Sequence, residues 1–312
     1  MYKVDIVGLG AIGAAYGAVA LKKGGSEIRV LVDDSRYSVY KDKIIEVNGE
    51  PFKFAAASPA YRQGAFEGPA DLMIVACKYP ALEEALEVAK QFAGENTLVM
   101  TVLNGLLSEI VAVEKLGEDR VLHSFCMGID TVKHGDRVDY RNIGRIVFGA
   151  VPQGPEDPRV LKAREILEEA GIPYEVPQDI LAMMWKKFMI NVSGNQLSAV
   201  LELNYSYFQE DEDLQALLRA VMMEVVGLAQ LKGVNLSENA IDEYLNSVKK
   251  HDPLGKTSMH QDIEAGRLTE VELFAGHMLE MGEELGVDLP YNRMLYHLIR
   301  IKERQAGARQ KA

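Results

Sequence analysis

Val4-Asp5-Ile6-Val7-Gly8-Leu9-Gly10-Ala11-Ile12-Gly13 joins a short apolar run to three glycines spaced G-x-G-x-x-G. The residues before the glycines, Tyr2–Val7, read as a strand; Ala11–Lys23 reads as a helix and Ile28–Val32 as a second strand. In that context each glycine has a task. The first permits a tight turn, the second lets backbone approach a pyrophosphate, and the third lets the helix pack closely on the strand. The helix start then presents unpaired N–H groups and a partial positive charge to phosphate. A glycine-rich turn that binds nothing is the plainer alternative, but the strand–turn–helix–strand order favours a dinucleotide. Gly8, Leu9, Gly10, Ala11, Ile12 and Gly13 are therefore the candidate cofactor contacts.

The second strand runs into Asp33-Asp34-Ser35-Arg36. Asp33, twenty residues after Gly13, is placed to hydrogen-bond the ribose hydroxyls of NAD. Arg36 is close enough to meet the 2′-phosphate of NADP instead. Two more candidates follow later strands, where open α/β sheets bind ligands: Lys78 after Met73–Cys77, and Asn104 after Thr97–Leu103.

Outward from this start, apolar runs alternate with amphipathic stretches: Leu72–Ala76, a helix over about 81–92, Thr97–Val102, a helix over 106–116, and Val121–Met127. Such alternation predicts βαβ units around a parallel sheet buried on both faces. Val138–Tyr140 and Arg145–Phe148 read as further strands, some antiparallel, and Pro158–Ala170 with Ile172–Val176 would finish the domain. Beyond Pro177 the pattern turns helical, as in Leu214–Leu231 and Met259–Leu285, with Gly233, Pro253, Gly255, Gly286 and Pro290 as breaks. The expected architecture is a Rossmann-like, doubly wound α/β domain over 1–178 followed by an all-α domain over 179–312.

Composition narrows the partners. The 312 residues carry a net charge of −12, which repels nucleic acid and anionic lipid. No apolar stretch reads as a bilayer span, and no signal-like segment precedes the first strand. The two cysteines, Cys77 and Cys126, sit in apolar runs and read as buried thiols of a reducing compartment, with no metal site. A cytoplasmic location follows. The oligomeric state stays open, a homodimer among the options.

The most informative stretch of the second half is Trp185-Lys186-Lys187-Phe188-Met189-Ile190-Asn191-Val192-Ser193-Gly194-Asn195. Lys187, Asn191 and Asn195 stand at i, i+4 and i+8, sharing one helical face that drifts roughly 40° per step. Asparagine forms helix poorly, and Gly194 costs about 1 kcal/mol relative to Ala. The surrounding apolar residues make a merely solvated stripe a weak explanation, so this face should meet polar groups.

The N-terminal glycine turn, Lys78, Leu103-Asn104-Gly105, the Trp-x-Lys-x-x-x-Asn-x-x-x-Asn run and Ser258-Met259-x-Gln261-Asp262 together resemble the ketopantoate reductase family, in matching order from residue 2 to about 300. The resemblance implies that Lys187 is the catalytic lysine and that Asn191 and Asn195 position substrate. It also implies that Ser258 binds the substrate carboxylate and that Glu270 is the functional glutamate. It further implies reduction of 2-dehydropantoate to pantoate, usually with NADPH, on the route to pantothenate and coenzyme A. Two positions depart from the family pattern: Asp33 stands where a cofactor-phosphate arginine is common, and a further family asparagine falls at Tyr205, with Asn204 adjacent.

The residue chemistry agrees with these roles. Hydride addition to a ketone leaves a negative oxygen that a lysine can stabilise and protonate, while asparagines orient hydroxyl and carbonyl groups without adding charge. Ser258 with Gln261 also reads as a capping box for a long following helix, and a helix start suits a carboxylate. On such a helix Glu270 lies about 120° around from Ser258, whereas Thr269 and Glu272 share the face of Ser258, so Glu272 is the rival carboxylate. Two other readings stay open: a reductase of another branched 2-keto acid, and a cofactor-sensing regulator without turnover, which would need no proton donor. The expected cofactor is NADP, with NAD as the alternative, and the expected partner a small 2-keto acid.

Overall fold

In a computed structural model, which describes residues 1–62 and 65–309, the opening run forms β1 (Lys3–Val7), followed by α1 (Ala11–Lys23) and β2 (Glu27–Leu31). After α2 (Asp34–Tyr40) come β3 (Ile44–Val47), β4 (Glu50–Lys53), β5 (Ala55–Ala57) and β6 (Leu72–Val75). The first unit continues through α3 (Leu82–Lys90), β7 (Leu98–Thr101), α4 (Ser108–Leu116), β8 (Val121–Met127), β9 (Val132–His134), β10 (Arg137–Asp139), β11 (Arg145–Gly149), α5 (Pro158–Ala170) and β12 (Tyr174–Glu175). The chain divides into two compact units, Met1–Ile180 and Leu181–Ala312.

Eight strands of the first unit form one sheet in the order β12-β11-β8-β7-β6-β1-β2-β5. From β5 to β8 all neighbours are parallel, which is the 3-2-1-4-5-6 order of a doubly wound dinucleotide sheet. β11 pairs antiparallel with β8 and parallel with β12. The sheet is covered on both sides, and alternation along β6 shows how. Leu72 and Ile74 join the core with Ala14 and Tyr16 of α1 and Val160 of α5. Met73 and Val75 join that with Leu86 of α3 and Ala112 of α4. One charged pair is sealed into this sheet. Asp5 accepts two bonds from Arg29 at 2.7 and 2.9 Å across the β1–β2 register. The guanidinium lies 4.1 Å from the Phe66 ring centroid and 4.9 Å from that of Phe92.

A second, four-stranded sheet, β4-β3-β10-β9, contains three strands the periodicity did not suggest. Asn48 and Gly49, both at positive φ (48° and 81°), turn β3 into β4, as expected of an Asn-Gly hairpin. Gly135, at φ 59°, helps turn β9 into β10, whose register pairs Lys133 with Val138.

The second unit is helical: α6 (Ile180–Ile190), α7 (Gln196–Leu201), α8 (Tyr205–Glu210), α9 (Glu212–Leu231), α10 (Asn239–Val248), α11 (Ser258–Glu264), α12 (His277–Leu285) and α13 (Pro290–Arg309). The continuous helical stretch expected over 259–285 is instead broken. α11 ends where Gly266 takes a left-handed conformation at φ 65°, and the Arg267 amide folds back onto the Asp262 carbonyl, the sort of glycine stop that ends helices. Glu303 then holds Thr269 through its amide and hydroxyl, at 2.8 and 2.7 Å. By length and composition α9 qualifies as a membrane-crossing helix, contrary to the expectation of no such stretch. Leu218, Val221, Met222 and Val225 are nonetheless buried, and Glu224 accepts the amides of Tyr291 and Asn292, so α9 serves as a core helix.

Candidate active site

The glycine turn has the conformation its spacing requires. Gly8 sits at φ 97°, and a Cβ there would lie 2.9 Å from the Cys77 amide nitrogen; a Cβ on Gly13 would lie 2.1 Å from the Gly8 carbonyl oxygen. A Cβ on Gly10 would meet nothing closer than 3.6 Å, so the protein's own packing does not demand that glycine, in keeping with space left for a ligand. α1 begins without a side-chain cap, leaving the first amides for an anion. These features fit a dinucleotide. The adjoining cleft is lined by Gly8, Leu9, Asp33, Arg36, Tyr40 and Cys77. Cys77 is half-buried, not buried as expected, and burial pushes its thiol up to about 11. Cys126 is buried.

Asp33 and Arg36 share that cleft but do not oppose each other. Asp33 caps α2, accepting the Arg36 amide at 3.1 Å and the Ser35 hydroxyl. Its other oxygen lies 3.1 Å from Arg36 Nε. Gly8, Lys78 and Asn104 follow β1, β6 and β7, neighbouring parallel strands, so all three stand at one sheet edge. Lys78 is exposed and Asn104 half-buried.

Behind the Asn104 loop lies a polar cluster that the sequence did not reveal. Glu109 is buried and accepts from Thr101 Oγ1 at 2.6 Å, Ser108 Oγ at 3.0 Å and the Ser124 amide at 3.4 Å. Thr101 ends β7 and Ser108 begins α4, so the cluster joins both ends of the loop. Burial pushes the Glu109 carboxyl up to about 7, against these hydrogen bonds.

In the second unit Lys187 is half-buried on α6, but the helix does not continue regularly to Asn195. Residues Asn191–Asn195 form a π turn, a device frequent at functional sites. Buried polar side chains bond to carbonyls around it: Ser193 Oγ to Met189 at 2.8 Å, Gln196 Nε2 to Val192 at 2.6 Å and Ser198 Oγ to Asn195 at 3.0 Å. Gly194 is closely packed, since a Cβ would lie 3.0 Å from the Tyr244 hydroxyl, which would have to give way by a few tenths of an ångström. The turn brings Asn195 Nδ2 within 3.4 Å of Asn191 Oδ1 and 3.5 Å of Ser258 Oγ. The uniform 40° drift expected of the three-residue face therefore does not hold beyond Asn191.

Ser258 is not the cap of its helix. Thr257 is, in extended conformation, accepting the His260 amide at 3.3 Å and lying 2.5 Å from the Ser198 hydroxyl. The capping motif is displaced by one residue because threonine caps as serine does, and the Ser258 hydroxyl turns to Asn195 instead. The helix break at Gly266 also voids the angular argument about Glu270. Glu270 is half-buried, just before a second π turn, Glu272–Gly276. Its rival Glu272 is exposed and engaged by Arg300 and the Tyr296 hydroxyl. Tyr205, at the family's asparagine position, packs edge-on against Phe208 and His251, and Asn204 accepts the Ser206 hydroxyl at 2.6 Å.

Comparison with known proteins accords with this geometry. Residues 4–153 match the family model "Ketopantoate reductase PanE/ApbA" and residues 179–303 match "Ketopantoate reductase PanE/ApbA C terminal". A 2-dehydropantoate 2-reductase of Aquifex aeolicus is 30% identical over 311 residues, covering 96% of this chain and 97% of its own. Among solved structures, a ketopantoate reductase of the PanE/ApbA family from Ralstonia eutropha superposes with a TM-score of 0.80 at 24% identity, over 98% of this chain and 99% of the other. A D-mandelate dehydrogenase solved with NADH gives 0.84 at 21% identity, over 97% and 99%. With both units matched in order and a relative spanning nearly the whole length, the chain belongs to the ketopantoate reductase family, nicotinamide-dependent oxidoreductases that act on a 2-keto acid.

Proposed function

We propose that this protein is an NADPH-dependent 2-dehydropantoate 2-reductase, forming pantoate for pantothenate and coenzyme A synthesis. The observation that carries the substrate side is the cluster of Asn191, Asn195 and Ser258 around the π turn, one helical turn beyond Lys187. Bound nicotinamide would supply hydride to the C2 carbonyl carbon. Lys187 stabilises the oxygen as it gains negative charge and donates the proton that completes the alcohol. Asn191 and Asn195 offer amide donors and carbonyl acceptors to the substrate's hydroxyl and keto groups, and Ser258 donates its hydroxyl to the carboxylate. Glu270 is the acidic partner of this set.

On the cofactor side, the reading is supported by Arg36. Its side chain is 58% exposed and pairs with Asp33 through Nε, which leaves the terminal nitrogens available to a 2′-phosphate. Gly8, Leu9, Gly10, Ala11, Ile12 and Gly13 would hold the diphosphate, with Lys78 and Asn104 as further contacts at the same sheet edge. The test is ketopantoate-dependent oxidation of NADPH by the purified protein, beside pyruvate and other branched 2-keto acids. Turnover with ketopantoate far above the others is expected; a different keto acid preferred by kcat/KM would replace the substrate, and binding without turnover would leave only a sensor.

A further inference from the structure

The second sheet brings a cation to the glycine turn. Lys133, in the middle of β9, donates its Nζ to the carbonyl oxygen of Leu9 at 2.7 Å. Leu9 lies between the first two glycines, so this bond fixes the peptide plane that leads into Gly10 and the start of α1. Lys133 is half-buried. Asp136, whose charge acts on Lys133, is paired with Lys43 at 2.6 Å, and Lys43 lies 5.2 Å above the ring of Tyr40, which lines the cofactor cleft. Among the described residues no carboxylate comes within ion-pair distance of Lys133. Burial, then Lys43, pull its pKa down, with Asp136 opposing.

An ammonium has three donors, and a cation partly withdrawn from water is stabilised by a neighbouring anion. Lys133 spends one donor on a neutral carbonyl beside a helix start whose amides also lack a cap. Both features call for an anion at the same turn. In a chain of net charge −12, a positive charge fixed there also offsets the surrounding repulsion of an anionic ligand.

We infer that Lys133 is a dinucleotide-positioning residue: it locks the Leu9 carbonyl of the glycine turn and sets a positive charge beside the diphosphate that the turn receives. The inference rests on the proposed use of a nicotinamide dinucleotide. Because the diphosphate is common to NADPH and NADH, Lys133 should serve both, unlike Arg36, which should distinguish them.

Fluorescence titration of NADPH and NADH, with ADP-ribose as competitor, tests this on wild type, Lys133→Met, Lys133→Gln and Lys133→Arg. Wild type that binds neither cofactor would defeat the dinucleotide reading itself. With wild-type binding established, Lys133→Met should raise Kd for all three ligands by about 10- to 100-fold, the scale of a hydrogen bond to a charged group. Lys133→Arg should restore most of the loss, and the melting temperature without ligand should stay near wild type. Should the methionine variant fail to fold, the comparison of glutamine with arginine carries the same contrast between a neutral and a charged donor. An unchanged Kd in the neutral variants, or a loss that arginine does not reverse, overturns the inference.

Discussion

Arg36 Nε lies 3.1 Å from Asp33 Oδ2, so the two residues that compete for the ribose by sequence position are joined in one ion pair. Partial burial draws the Asp33 carboxyl up, but bonds from the Ser35 hydroxyl and the Arg36 amide, with the Arg36 charge, outweigh it and hold the group below the ordinary carboxylate range. The carboxylate is thus committed to capping α2 and is compensated by a cation. This removes much of the repulsion that an aspartate would present to a 2′-phosphate. We expect kcat/KM to be higher for NADPH than for NADH. Arg36→Ala should weaken NADPH binding by about 1.5–3 kcal/mol and spare NADH; equal effects on both would exclude Arg36 as the phosphate's partner.

Lys187→Ala should lower kcat by about 10²–10⁴-fold, the usual worth of a general acid, with cofactor Kd close to wild type. Direct titration with NADPH separates the two effects. A variant that keeps most of its kcat at saturating ketopantoate would remove Lys187 from the proton-transfer role.

The one-residue shift of the capping motif makes Thr257 and Ser258 separable. Thr257→Ala should cost about 1 kcal/mol of stability, as lost caps do, with KM for ketopantoate little changed. Ser258→Ala should raise KM and leave the melting temperature alone. Asn191→Ala and Asn195→Ala should also raise KM and lower kcat/KM. If the asparagine variants keep wild-type kinetics but melt earlier, the cluster merely supports the π turn.

The parts of this architecture that were legible in the sequence are those set by short-range spacing. Gly8 and Gly13 must be glycine because neighbouring backbone leaves no room for a Cβ, and the spacing carries that information. The parallel strands β6 and β7 were equally plain, being wholly buried and, apart from Thr101, apolar. β3 and β4 were overlooked although Asn48-Gly49 marks their hairpin, because their exposed faces dilute the apolar pattern. With β9 unrecognised, nothing about Lys133 pointed to Leu9, 124 residues away. The π turns left only an indirect trace, in Ser193, Gln196 and Ser198, polar residues in a helix too buried to be solvated. Gly266 was the missed stop within 259–285, and missing it displaced the expected surroundings of Glu270.

The buried Glu109 should make stability depend on pH in a direction opposite to that of most paired carboxylates. Its ordinary pKa of 4.5 rises to about 7 in the folded chain because burial outweighs the hydrogen bonds the carboxyl accepts. Between those values the native state holds a proton that the unfolded chain has released, so stability falls as pH rises. The contribution is fully present below about 4.5 and is lost as pH passes through about 7. A shift of that size corresponds to about 3 kcal/mol. Glu109→Gln keeps the shape, removes the ionisation, and lets the Thr101 and Ser108 hydroxyls rotate to pair with an amide. Denaturant unfolding at pH 5 and pH 8 should therefore show wild type losing more stability than the variant between the two. Parallel losses would mean that Glu109 is ionised in the native state throughout, held so by Thr101, Ser108 and Ser124.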